Sequence, residues 1–528
     1  MPDEVEPSPP GPVGKQPPEG VKLSAAELQH RAISGSVWTA IHSVIGVPVN
    51  FATNLIVARE LGPAGFGVVA LLNLAIILGT KVSEAGFNAG VCTWGAAEDA
   101  LGHRSSSDRL LHQCMGWQLL VEVPILGVIM AAFGWRHGPI IVGLLVTSVI
   151  VNAAACGPAQ AIVIENRSAA AARLAIPSNL VLQAGLIIVA IHTHSAIDVF
   201  TARMVLVAPV GILLLIPLDR ARRRVVFVPM LPRKMPPGFW RFAAQTTMTA
   251  VVGELSSSRD EIFVLALFGL RNAVGYFALA YGLSSQLTAP VDSVLSPLSS
   301  AAIGIVATAP KRAANAFLRS MRFTSAASGV LTAMALPLLT MLIPVVYGHR
   351  YQATTELIIP LGIASCLASL LNPVGTFVNA RRRSDLILKA NVIALGVDAV
   401  LAFSLIPIIG VWGAVVANIL GSLADLPILL VFEMRTQGTT LGEFVRSVRA
   451  WLIALVATGL AVGVALLAGQ NAWLRAGVAF GVGTAVFIGG IRLFHAGFND
   501  GDREALLRSV PRVLRGPASL GLAVMGST

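Results

Sequence analysis

Apolar runs close to the length of a bilayer crossing recur along this chain, and nothing constrains its fold more. They fall at approximately 33–57, 66–91, 114–135, 139–164, 172–193, 197–218, 242–268, 273–306, 324–347, 355–379, 386–408, 411–432, 450–469 and 474–494. A helix needs roughly 20 such residues to cross the hydrocarbon core. Inside lipid, a backbone that bonds within its own segment is the simplest solution. Only 12% of the 528 residues are charged, against about 25% in soluble domains. The chain reads as an all-α polytopic membrane protein with about 14 transmembrane helices.

The basic residues orient these spans. With the N-terminus inside, the outer loops hold six of them: Arg59, Arg136, Arg203, Arg271, Arg350 and Arg475. The inner loops hold 22, among them Arg167 and Arg173 between the fourth and fifth spans. Basic residues mark cytoplasmic loops. Both termini are therefore expected in the cytoplasm, with the protein in the cytoplasmic (inner or plasma) membrane. The net charge of +11 is explained by this topology, and no nucleic-acid partner is expected.

The Pro-, Gly- and Glu-rich start lacks the apolar core of a signal peptide and buries too little to fold. Residues 1–30 read as a disordered cytoplasmic tail. Residues 31–219 hold helices 1–6, and 220–241 form a basic cytoplasmic linker, whose charge is also explained by topology alone. Residues 242–436 hold helices 7–12, and 437–496 hold two extra C-terminal helices. The segment 497–528, a cytoplasmic tail, mixes Leu and Val with Arg; an interfacial helix or a solvated tail both fit it. Four cysteines without paired spacing give no disulfide framework or metal site.

The two halves resemble one another. VARELGPAGFGVVALLN (57–73) joins the first two spans, and VLALFGLRNAVGYFALAYGL (264–283) joins the first two spans of the second half. Gly62 aligns with Gly269 and, after one extra residue, Gly67 aligns with Gly275. Six spans per half make a parallel repeat, with the path between the halves.

Four stretches resemble polysaccharide/oligosaccharide-lipid flippases of the multidrug/oligosaccharidyl-lipid/polysaccharide exporter superfamily. They are ARELGPAGFG (58–67), RDEIFVLALFGLRNAVGYFALA (259–280), YGHRYQATTELIIPLGIA (347–364) and LIPIIGVWGAVVANILGSL (405–423). The resemblance covers approximately residues 33–435. It implies two six-helix lobes around a central cavity and translocation of a polyprenyl-diphosphate-linked oligosaccharide by alternating access. Polysaccharide-assembly enzymes are the partners it implies, beside the glycan lipid and the bilayer. At Gly282 the chain departs from members that carry a basic residue there.

Ionisable residues within spans are costly, so they are expected to face a cavity or one another. Lys81 and Glu84 share a helix face, continued by Asn88. His42, Gly46, Asn50 and Asn54 form a stripe in span 1, Glu254, Ser257, Ser258 and Glu261 one in span 7, and Tyr281, Ser285, Thr288 and Asp292 one in span 8. The expected substrate path uses Asn50, Asn54, Arg59, Lys81, Glu84, Arg259, Asp260 and Asp292. Lys81, Arg259 and Arg59 would meet a diphosphate, and amides, hydroxyls and carboxylates would meet sugar. The same charges also suit structural pairs, Lys81 with Glu84 and Arg259 with Glu254, Asp260 or Glu261. His42, Glu254, Glu261 and Asp398 are candidates for H+ or Na+ coupling; no organic cofactor is expected.

Two other functions compete. Asp260, Asp292 and Asp398 also suit a cation-coupled drug antiporter of the same superfamily. A membrane glycosyltransferase or polymerase would place acidic residues in large outer loops, and the outer loops here are short. No HExxH, GxSxG or Walker A pattern occurs.

Overall fold

A computed structural model describes residues 25–496 apart from 85, 101, 136, 137, 166, 259, 309 and 382. The expected tails before residue 25 and after residue 496 lie outside the described residues, as does Arg259. The described residues are all-helical, and eleven segments among them are long and apolar enough to cross a membrane.

The first helix, Ala25–Glu84, bends once. At Gly62 the backbone takes φ 67°, ψ 176°, a left-handed position that favours glycine. Pro63 follows, where the missing N–H of a new helix start costs nothing. The aligned Gly269 also has positive φ, 74°, in the turn between helices Asp260–Leu267 and Arg271–Thr308.

The two stretches that resemble one another in sequence touch in the fold. A Cβ on Gly67 would lie 2.9 Å from Gly275 N, and one on Gly275 would lie 1.9 Å from Pro63 O. Only two glycines allow this backbone crossing. Beside it, the Tyr351 hydroxyl donates to Ala58 O at 2.9 Å. Ala58, Leu279, Leu283, Ile343, Tyr347 and Ile358 bury their side chains around this clasp.

At the opposite end of the helices, aromatic rings join the same two parts of the chain. Phe87 stacks on Trp117 at 4.9 Å and meets Phe239 edge-on at 5.0 Å. Trp94 meets Phe242 at 5.3 Å. Phe239 opens the Phe239–Ser258 helix, so this cluster pins the first helix of the second half to the Phe87–Ala100 helix.

The basic linker is not merely a solvated loop. Its short helix, Arg220–Val225, buries Arg222 to 1% exposure. Arg222 Nε meets Asp108 Oδ1 at 3.0 Å and Glu165 Oε1 at 3.5 Å, and Nη2 pairs with Asp99 and with Ser107 Oγ at 3.2 Å. Arg167 bridges Glu165 at 2.8 Å and Asp219 at 2.9 Å, and Arg104 reaches Asp219 at 3.4 Å. The backbone joins in: Met230 N donates to His112 O at 2.9 Å. The linker is thus anchored on the turns at 99–108 and 164–168.

The carboxylates of this anchor are pushed in opposite directions. Burial raises Glu165 above its ordinary 4.5, against the pull of Arg222 and Arg167. Burial would raise Asp219 too, but hydrogen bonds from Arg167 and Arg104 and their charges hold it below its ordinary 3.8. Asp219 therefore contributes stability that is present above its unfolded pKa and lost as pH falls through the lower folded value. The Glu165 contribution has the other sign, complete at low pH and lost as pH rises through its raised value. Asp219→Asn is expected to narrow the drop in thermal midpoint between neutral pH and about pH 3. An unchanged drop would take Asp219 out of the acid response.

The last two helices, Arg449–Leu467 and Ala472–Leu493, pack on each other and on the Pro310–Val346 region. A π-helical turn at Leu331–Ala335 offsets the carbonyl ladder there. Thr458 donates to Thr332 O at 2.7 Å across the gap, and Trp451 N donates to Ser325 Oγ at 3.0 Å.

Candidate functional site

Several polar residues of the second half converge on one cavity of about 310 Å³. Helices Phe239–Ser258, Arg271–Thr308, Gln352–Ala380, Ser384–Ile409 and Val411–Ala424 surround it. Its polar lining is Tyr281, Ser365, Asn372, Asn391, Asn418, Ser422 and Asp425. Asn372 ties it to Asp292: Asn372 Nδ2 donates to Asp292 Oδ1 at 2.7 Å, and Ser369 Oγ donates to the same oxygen at 2.8 Å. Asp398, on Ser384–Ile409, is buried beside the cavity against Gly421. Asp292, Asp398 and Asp425 thus gather in one region, each from a different span. The volume is at the low end for a small-molecule pocket. It suits an ion with its water and is too small for an oligosaccharide on a lipid.

The stripe of span 8 divides by chemistry. Ser285 and Thr288 return their hydroxyls to their own helix, to Gly282 O at 3.0 Å and Ser285 O at 3.2 Å. Tyr281 and Asp292 are left for the cavity and its rim. Asn372, Asn391 and Asn418 were not singled out in the sequence, although isolated amides in apolar runs are the signal that would have found them.

In the first half, His42 is half-buried. The span 1 stripe turns toward the Ser168–Thr193 helix: Asn179 Nδ2 donates to Asn50 Oδ1 at 3.4 Å, and Gln183 Nε2 donates to Asn179 Oδ1 at 3.1 Å. Arg59 is exposed at the bend. Its neighbour Glu60 pairs with His194 at 3.1 Å. Glu122 is buried on a π-helical turn and accepts from Trp117 Nε1 at 2.5 Å. Glu261 is fully buried. Lys81, Glu84, Glu254 and Asp260 stand on described helices, but their side chains lie outside the description.

Several arginines expected in loops lie inside helices instead, among them Arg109, Arg475, Arg173 and Arg203. Arg173 is in Ser168–Thr193, its guanidinium 4.6 Å above the Trp38 ring. Arg203 is in the second turn of Ala196–Leu213. Arg173 and Arg203 also fall within the apolar runs 172–193 and 197–218 that mark these helices.

A family model described as "Polysaccharide biosynthesis protein" matches residues 56–356, more than half of the chain. Among curated proteins, none matches it. Solved structures share the fold, two of them as follows. "Lipid II flippase MurJ, inward closed conformation" is 14% identical over 88% of this chain and 99% of that one, with a TM-score of 0.61. An inward-facing multidrug resistance MATE family transporter of the MOP superfamily is 14% identical over 74% and 95%, with a TM-score of 0.55.

Proposed function

The chain belongs to the family of polysaccharide biosynthesis proteins, and from that premise we propose that it carries a lipid-linked glycan, a polyprenyl-diphosphate oligosaccharide, across the cytoplasmic membrane. It acts as a flippase and not as an enzyme. The observation that carries this reading is the glycine crossing. The family match, 56–356, spans both glycine stretches, and the sequence-related Gly67 and Gly275 meet there.

Such a contact supports two six-helix lobes related by a parallel repeat and sealed at one end. Dividing Ile45–Gly79 at its bend, and adding Phe239–Leu267 and Arg271–Thr308 to the eleven candidate spans, supports about 14 crossings. With both termini cytoplasmic, the crossing is the outer seal and the aromatic cluster with the Arg222 anchor is the cytoplasmic one. Alternating access then opens one seal while the other holds. In this reading Arg59, Lys81 and Arg259 meet the diphosphate, and Asn50, Asn54, Glu84 and Asp260 meet sugar.

Deleting the gene is expected to build up a polyprenyl-linked oligosaccharide in lipid extracts, on the cytoplasmic leaflet. Extracts without that lipid, together with new drug sensitivity, would instead support the antiporter.

The carboxylates around the cavity favour H+ or Na+ as the coupling ion, drawing on Asp292 and Asp398. Asp292→Asn is expected to leave abundance unchanged and to slow transport about tenfold, the scale of one charged hydrogen-bonding group. Its response to an imposed ion gradient should be blunted; a full response removes Asp292 from coupling.

A further inference from the structure

We infer that Arg203, with the amides of Asn54 and Gln183, forms a seat for the diphosphate of the substrate inside the first lobe. The inference rests on the flippase reading; it adds Arg203 and Gln183 to the path described above and moves Asn54 from the sugar to the diphosphate.

Arg203 stands in the helix Ala196–Leu213. The lipid-facing side of that helix is marked by Val205 and Ile212, 63% and 67% exposed. Arg203 lies on the other side, one turn from Val199, which is 2% exposed. Val199 packs in a cluster with Val57, Leu186 and Ala190, so this face looks into the seam between three helices. Asn54 is one turn from Val57, and Gln183 is one turn from Leu186, each on the same face of its own helix. Arg203, Asn54 and Gln183 therefore each lie one turn from this apolar cluster, on the side of the seam beneath it.

Among the described residues, no carboxylate and no hydrogen-bond partner answers Arg203. An arginine inside a membrane span is costly unless something answers its charge. The amides cannot neutralise it, but they can donate beside it. A guanidinium flanked by amide N–H donors suits a phosphate, which accepts two parallel bonds from arginine. The seam continues through the Asn50–Asn179–Gln183 ladder. Toward its other end Arg173 lies over Trp38, a second fixed cation along the same helix pair.

The full chain in nanodiscs is titrated with a polyprenyl diphosphate and with the matching polyprenyl alcohol. The unaltered protein is expected to prefer the diphosphate. Arg203→Gln should bind the diphosphate about tenfold more weakly and the alcohol unchanged. Arg203→Lys, which keeps the charge, should recover most of the loss. Equal affinity of Arg203→Gln and the unaltered protein for the diphosphate would overturn the seat. So would an equal loss for both ligands, which marks a structural arginine. If the unaltered protein binds both lipids alike, the substrate reading itself fails, an outcome distinct from a failure at Arg203.

Discussion

Arg222→Ala is expected to destabilise the protein by about 3–5 kcal/mol, the cost of leaving buried charges without their partner. Arg222 is 1% exposed and faces Asp99, Asp108 and Glu165. Its removal would leave three carboxylates crowded together with only Arg167 and the more distant Arg104 to offset them. Burial already raises Glu165, and losing Arg222 removes a charge that opposes the rise. Arg224, exposed on the same short helix, is the control: Arg224→Ala should change stability by less than about 0.5 kcal/mol. Thermal unfolding in detergent reads both. Equal midpoints for the two variants would show that the anchor contributes nothing to stability.

The second large effect is expected at the glycine crossing. Valine at Gly275 would place a Cβ 1.9 Å from Pro63 O. A backbone carbonyl cannot rotate away as a side chain does, so the two glycine stretches must part. Overpacking of this kind costs about 1–3 kcal/mol, enough to move a two-state balance by roughly 5- to 150-fold. Ala58 is 0% exposed beside the crossing and reports the change. In an Ala58→Cys background, Gly275→Val should admit a membrane-impermeant maleimide and slow transport. Gly282→Val should do neither, because a Cβ there meets nothing within 4 Å. Equal labelling of both variants would mean that the crossing is not a seal.

Much of this architecture is legible in the sequence because lipid simplifies the code. A segment without water must close its own hydrogen bonds, so apolar length alone reveals a helix. The bends at Gly62 and Gly269 are visible for a related reason, since positive φ selects glycine. That Gly67 and Gly275 touch could not be read, because alignment relates positions without placing them in contact. Arg222 was hidden in the opposite way. Seven basic residues in 220–241 look alike as topology signals, and only the fold shows which one is buried. Arg203 was hidden because one basic residue near the start of the apolar run 197–218 reads as a loop marker. Asp292 was found by its spacing, whereas its partners Ser369 and Asn372 belong to a distant helix and have no local mark.

The central claim is tested most directly by movement of the lipid itself. The purified chain is reconstituted in vesicles with a polyprenyl-diphosphate-linked oligosaccharide, and the glycan exposed on each leaflet is followed with a glycan-cleaving enzyme confined to one side. The account predicts that the glycan crosses faster than in protein-free vesicles and that Gly275→Val slows it. Crossing at the protein-free rate by the unaltered, folded protein would contradict it.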